Sequence, residues 1–239
     1  MIRKAKLMRV AAAATALVLL GAVDVWPQAM KTPEGFRPIF DGKTLKGWHL
    51  SRTNHHGSTG NVFVENGEMV LKQRPYGQGG LLMSDKKYHN FDLYLEVKEA
   101  WGCNSGIFLR STEGGSAYQI ELDQTRGTGN LLGENMRVSV TARATDIDKV
   151  WKIADWNSFR IRMVGDAPRI TEWINGVQMF DVEEPVNDKL AGETTGLIGL
   201  QLHWGSVYQP AVAGASLLSG SWKPDAAYRF RNIAIKELP

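Results

Sequence analysis

Short bursts of alternating apolar and polar residues, each closed by Gly, Asn or Asp, recur along this chain and restrict it to one kind of fold. Phe91–Val97 (FDLYLEV) alternates cleanly, as do Ile107–Arg110, Tyr118–Asp123, Phe159–Val164, Ile170–Ile174, Leu197–Leu202 and Tyr228–Lys236. A period of two is the period of a strand. Asn66-Gly67 and Asn175-Gly176 lie between such bursts, and Asn-Gly suits a tight hairpin because both residues tolerate positive φ. Helical periodicity lasts nowhere beyond about two turns. Gly127, Gly129 and Gly133 resemble a dinucleotide fingerprint, but the last spacing is one residue too long and no helix follows, so they read as a turn. The pattern predicts an all-β, two-sheet antiparallel jelly-roll sandwich.

The chain has 239 residues and a formal net charge of +3, which invites a nucleic-acid partner. The position of the charges removes that invitation. Arg3, Lys4, Lys6 and Arg9 precede a run at residues 11–23 that is apolar but for Thr15, the layout of a secretory signal peptide rather than of a membrane span. Without residues 1–22 the count is 24 Lys and Arg against 25 Asp and Glu. Residues 1–23 are therefore expected to be a signal peptide, 24–34 a linker and 35–239 one domain. An exported protein, periplasmic or extracellular, with no nucleic-acid partner and no stable membrane insertion is the expectation. The single cysteine, Cys103, permits no intrachain disulfide and reads as a small buried residue. The Ala-, Gly- and Ser-rich stretch 209–224 reads as a loop before the last strand.

Three strands carry a polar set on one side. In Tyr118–Asp123 the polar set is Gln119, Glu121 and Asp123; near Leu200–Trp204 it is Gln201 and His203, with Trp204 adjoining. Asn104–Arg110 puts Asn104, Gly106, Phe108 and Arg110 on one side. If these strands are neighbours, one face collects amides, acids, an arginine and a histidine. Such a face suits a hydroxyl-rich ligand, since amides and carboxylates bond sugar hydroxyls and aromatic rings stack on sugar faces. The bland alternative is an ordinary solvated sheet face. His55-His56, in a Ser/Thr/Asn/Gly stretch, could rim a site or bind a metal, but reads first as a pair of exposed loop histidines. No paired-Cys, His-Glu-x-x-His or Gly-x-Ser-x-Gly motif occurs.

Several segments, in order, resemble the bacterial 3-keto-disaccharide hydrolase domain family. They are Gly35–Trp48 (GFRPIFDGKTLKGW), Val64–Glu68, Gly80–Leu82, Asn104–Arg110, Tyr118–Asp123, Asp155–Ile161, Trp173–Gly176, Gly199–His203 and Phe230–Leu238. The resemblance implies a concanavalin A-like sandwich that cleaves glycosides already oxidised at C3. A C3 ketone acidifies the C2 proton, a base removes it, the C1 substituent leaves, and water adds, so the net reaction is hydrolysis. On this basis His203 or Glu121 is expected as base, Arg110 at the enolate oxygen and Asp123 as an orienting group. Asn104, Gln119, Gln201 and Trp204 are expected to hold the sugar. A divalent cation on the His/Glu/Asp cluster could replace the arginine; no organic cofactor is expected. Two local departures stand out: Gln119 and Glu121 exchange the family's usual acid and amide, and Glu172 occupies a position where many relatives carry histidine. Two other functions fit the same residues: a glycosidase using Glu121 and Asp123 as its carboxylate pair, and a non-catalytic carbohydrate-binding module.

Overall fold

The computed structural model describes residues 31–74, 78–99, 104–123, 127–204 and 226–239. The expected signal peptide, most of the linker, Cys103 and the stretch 209–224 lie outside the described residues. The first half of the chain forms β1 (Arg37–Pro38), β2 (Trp48–Leu50), β3 (Asn61–Glu65), β4 (Glu68–Lys72), β5 (Gly80–Tyr88), β6 (Phe91–Glu99) and β7 (Asn104–Ser111). After these come β8 (Ala117–Asp123), β9 (Leu131–Glu134) and one helical turn, α1 (Ile147–Val150). The chain finishes with β10 (Asn157–Val164), β11 (Arg169–Ile174), β12 (Val177–Glu183), β13 (Gly196–Leu202) and β14 (Ala227–Glu237).

The strands form two antiparallel sheets. One has the order β12-β11-β10-β6-β14-β4-β3, with β1 added beside β14; the other has the order β2-β5-β13-β7-β8-β9. The expected sandwich is thus present, and both Asn-Gly pairs sit where expected, between β3 and β4 and between β11 and β12. Asn66 and Asn175 have φ of 52° and 50°, and the glycines after them 84° and 83°. Positive φ at both central residues matches the right-handed twist of the strands.

Alternation sorts the side chains. Leu93, Leu95 and Val97 of β6, Phe159, Ile161 and Met163 of β10, and Tyr228 and Phe230 of β14 line the inner face of the larger sheet. They meet Ile107, Leu109, Tyr118, Ile120, Leu122, Leu200 and Leu202 from the smaller sheet in one core. Non-local apolar burial of this extent is the main stabilising term of a sandwich. The far side of the smaller sheet carries a second, small apolar cluster of Leu81, Met83, Phe108, Ala117 and Leu197. Beside that cluster lie the polar residues singled out above. No helix among the described residues is long and apolar enough to cross a membrane.

Candidate active site

The polar residues fall into two rows on the outer face of the smaller sheet. Gly106 of β7 pairs with Glu121 of β8, and Asn104 pairs with Asp123. On the other side of β7, the backbone N–H of His203 donates to the Asn104 carbonyl at 3.3 Å. One row is therefore His203–Asn104–Asp123, and the next contains Gly106 and Glu121 with Gln201 close by. The face is not a solvated one. Gln119, Glu121, Asp123, Asn104 and Gln201 are all buried, between 1% and 8% exposed. Burying that many amides and carboxylates is costly unless each finds partners.

Several partners lie within the face, although Gln119 Oε1 is buried without a hydrogen bond. Asn104 Nδ2 donates to Asp123 Oδ2 at 2.6 Å. Gln119 Nε2 reaches Gln201 Oε1 at 3.4 Å, and Gln201 Nε2 lies 3.1 Å from Nε2 and 3.4 Å from Nδ1 of His56. The backbone below is pinned as well: Ser105 Oγ donates to the Gln201 carbonyl, and Gln73 Nε2 donates to the carbonyls of His203 and Trp204. Trp204 stacks on His203 with ring centroids 5.4 Å apart. Gly106 makes the amide chain feasible, because a Cβ there would lie 2.3 Å from Gln119 Nε2.

His56 corrects the expectation of two exposed loop histidines. It is only 2% exposed, and its ring stands 5.6 Å from that of His203 and 3.8 Å from that of His55. Glu134, at the end of β9, completes the group: its Oε1 lies 3.2 Å from His55 Nε2 and 3.5 Å from His56 Nε2. Burial raises the affinity of Glu134 for a proton. The hydrogen bond from His56 and the charges of His56, His55 and His203 outweigh this and hold its pKa below the ordinary value. His55, His56 and Glu134 are the only group of three such side chains among the described residues that could converge on one cation.

Gly79 lets the histidine loop approach the sheet. A Cβ at Gly79 would lie 2.3 Å from the Leu202 carbonyl oxygen, 2.6 Å from that of His56 and 2.9 Å from the Trp204 amide nitrogen. These are backbone atoms that cannot swing aside. Gly79→Ala is expected to cost roughly 1–3 kcal/mol and to push His56 off Gln201. Chemical denaturation and a binding assay on the same protein check both effects.

Arg110 is not part of this site, contrary to expectation. Its φ of 47° breaks the strand alternation at β7 and turns the side chain away from Asn104 and Gly106. The buried guanidinium instead donates to the carbonyls of His89 and Gly165, at 2.8 Å each, and to Asn90 Oδ1 at 3.2 Å. Burial lowers its pKa to about 10. Arg110 therefore ties the β5–β6 turn to the β10–β11 turn across the two sheets, a structural role. The structure brings together His203, Glu121, Asp123, Asn104, Gln119, Gln201 and Trp204, and adds His55, His56 and Glu134.

A family profile described as the 3-keto-alpha-glucoside-1,2-lyase-like domain matches residues 35–236. The chain belongs to that family. A 3-keto-disaccharide hydrolase of Bacteroides thetaiotaomicron is 34% identical over 85 residues, a match that spans 34% of this chain and 29% of that protein. Among solved structures, a candidate glycosyl hydrolase from Parabacteroides distasonis superposes with a TM-score of 0.56 at 22% identity, covering 86% of this chain and 95% of that one. A carbohydrate-binding module from Bacillus subtilis gives 0.52 at 14% identity, over 80% and 96% of the two chains. At these identities the superpositions bear on the fold alone, a lectin-like sandwich. The domain is thus a 3-keto-alpha-glucoside-1,2-lyase-like domain on a lectin-like sandwich.

Proposed function

We propose that this domain cleaves glycosides oxidised at C3, by removal of the C2 proton, expulsion of the C1 substituent and addition of water. The observation that carries the proposal is the buried polar face, which holds two carboxylates, three amides and a histidine on one sheet of a chain that belongs to this family. In the first step a base takes the C2 proton, and the C–H electron pair forms the C2–C3 double bond of an enolate. In the second, that pair shifts to C1–C2 and the C1–O bond breaks, releasing the aglycone as an alcohol once protonated. Water then adds hydroxyl at C1 and hydrogen at C2, giving the free 3-keto sugar. We assign the base to Glu121, which sits mid-face opposite Gly106. His203 stands instead at the edge of the face, beside the His56 ring and stacked on Trp204, where an imidazole N–H can meet developing negative charge. Asn104, Gln119 and Gln201 hold hydroxyls, and Trp204 offers a ring to the sugar.

The test is incubation of the purified protein with a 3-keto-glucoside and with the same glucoside unoxidised, followed by mass spectrometry. Aglycone release from the keto sugar alone is expected. Equal release from both would remove the enolate route and favour an ordinary glycosidase, and tight glycan binding without turnover would favour a binding module. Export, proposed from the basic-then-apolar segment at residues 1–23, is checked by cell fractionation.

A further inference from the structure

We infer that His55, His56 and Glu134 form a binding site for one divalent transition-metal cation, and that this cation takes the electrophilic role that Arg110 does not fill. The second half of the inference rests on the function proposed above; the first half does not.

The geometry is that of a ligand set rather than of a surface ion pair. The ligand atoms of the three side chains all lie within 4.8 Å of one another. Two imidazole nitrogens converge on the same carboxylate oxygen, at 3.2 Å and 3.5 Å. Ligands held about 2.0–2.2 Å from one ion are separated from each other by about 3.0–3.5 Å, so the set needs little movement to close on a cation. An ion pair needs one imidazole per carboxylate. Here two imidazole rings lie 3.8 Å apart against a single acid, and a metal ion would use lone pairs of both rings.

The surroundings fix the ligands in place. The Asn135 side-chain amide lies 2.8 Å from His55 Nδ1; with that amide flipped, its oxygen would accept the Nδ1 proton and leave the Nε2 lone pair toward Glu134. The His56 backbone amide donates to Asn54 Oδ1 at 2.8 Å, and Gln201 Nε2, 3.1 Å from His56 Nε2 and 3.4 Å from Nδ1, would move off Nε2 when that nitrogen takes a cation. Outer groups of this kind set ring orientation in metal sites. Two imidazoles and one carboxylate favour Zn²⁺, Co²⁺, Mn²⁺ or Fe²⁺ over Ca²⁺ and Mg²⁺. Three protein ligands leave coordination positions open, as in catalytic rather than structural sites. The C3 carbonyl and C2 hydroxyl oxygens of a 3-keto sugar can fill two of them as a five-membered chelate, which would place the enolate charge on the metal. His203, Glu121 and Asp123, the cluster expected from the sequence to take a cation, are not the group that converges.

The test uses the full chain stripped with EDTA and dialysed, titrated with Zn²⁺ and with Co²⁺ by calorimetry and by the visible absorption of bound Co²⁺. One equivalent is expected to bind wild type, undisturbed by millimolar Mg²⁺. His55→Ala and Glu134→Gln, both at partly exposed side chains, are expected to weaken binding at least tenfold with an unchanged circular dichroism spectrum. Failure of wild type to bind a stoichiometric ion, or full binding by both variants, would overturn the site. Stoichiometric binding with no turnover of 3-keto-glucosides would leave the site standing and overturn the function. Stoichiometric binding with turnover that persists at full rate in EDTA would overturn the electrophilic role alone.

Discussion

Replacing Glu172 with methionine is expected to stabilise this protein by about 1–3 kcal/mol at neutral pH, which for a domain of this size corresponds to a rise in Tm of several degrees. Glu172 lies on β11 between Ile170 and Ile174, in register with Ile161 of β10 and Phe180 of β12. Alternation therefore sends its carboxyl into the core with the isoleucines. It is fully buried, and neither carboxyl oxygen has a hydrogen-bond partner. The β8–β9 turn closes over it: a Cβ on Gly129 would lie 3.4 Å from Glu172 Oε2 and 2.7 Å from Ile174 Cδ1. Methionine keeps the length, removes the two unpaired oxygens and packs against the same neighbours.

The pH dependence gives this prediction a second readout. Burial alone raises the pKa of Glu172 well above 4.5. The folded state thus holds a proton that the unfolded state releases above about pH 4.5. The contribution of Glu172 to stability is fully present below that pH and is lost as pH rises through the folded value. The stability difference between Glu172→Gln and wild type should therefore grow from pH 4 to pH 8 in denaturant titrations. Glu172→Met should show the same growth added to a constant gain. A difference that does not change with pH would mean that Glu172 is paired and ionised in the folded protein.

How far the sequence reached is best seen residue by residue. In Tyr118–Asp123 simple alternation separates core from site, because the strand is regular and both its neighbours are strands. Glu172 stands out in the sequence only as a departure from the family's usual histidine, and its burial between two isoleucines comes from the structure. Alternation fails at Arg110, where a single positive φ redirects the side chain; nothing in the local sequence marks a non-glycine residue for that conformation. It also misjudges His56, whose burial depends on Gly79, a residue 23 positions away that lets two backbones touch. Glu134 lies outside any motif and becomes part of the site only through the pairing of β8 and β9. Local patterns were legible, whereas contacts made by loops crossing onto a sheet were not.

Glu121→Gln is expected to lower kcat on a 3-keto-glucoside by about 10²–10⁴-fold, the usual worth of a positioned base, with little change in KM. The amide keeps the size of the side chain on a face already held by amide hydrogen bonds, so binding should survive while proton abstraction does not. Exchange at C2 separates proton removal from the later steps. In D₂O, wild type should introduce deuterium at C2 of the keto sugar at least as fast as it releases aglycone, and Glu121→Gln should slow both together. His203→Gln should behave differently. His203 stacks on Trp204 and stands beside the His56–Glu134 group, so its loss should raise KM and slow release without abolishing exchange. The opposite pattern, with exchange lost in His203→Gln and kept in Glu121→Gln, would transfer the base role to His203. Because Asp123 is held by Asn104 at 2.6 Å, it cannot readily swing in to replace Glu121, and the loss in Glu121→Gln should not be masked by its neighbour on the same strand.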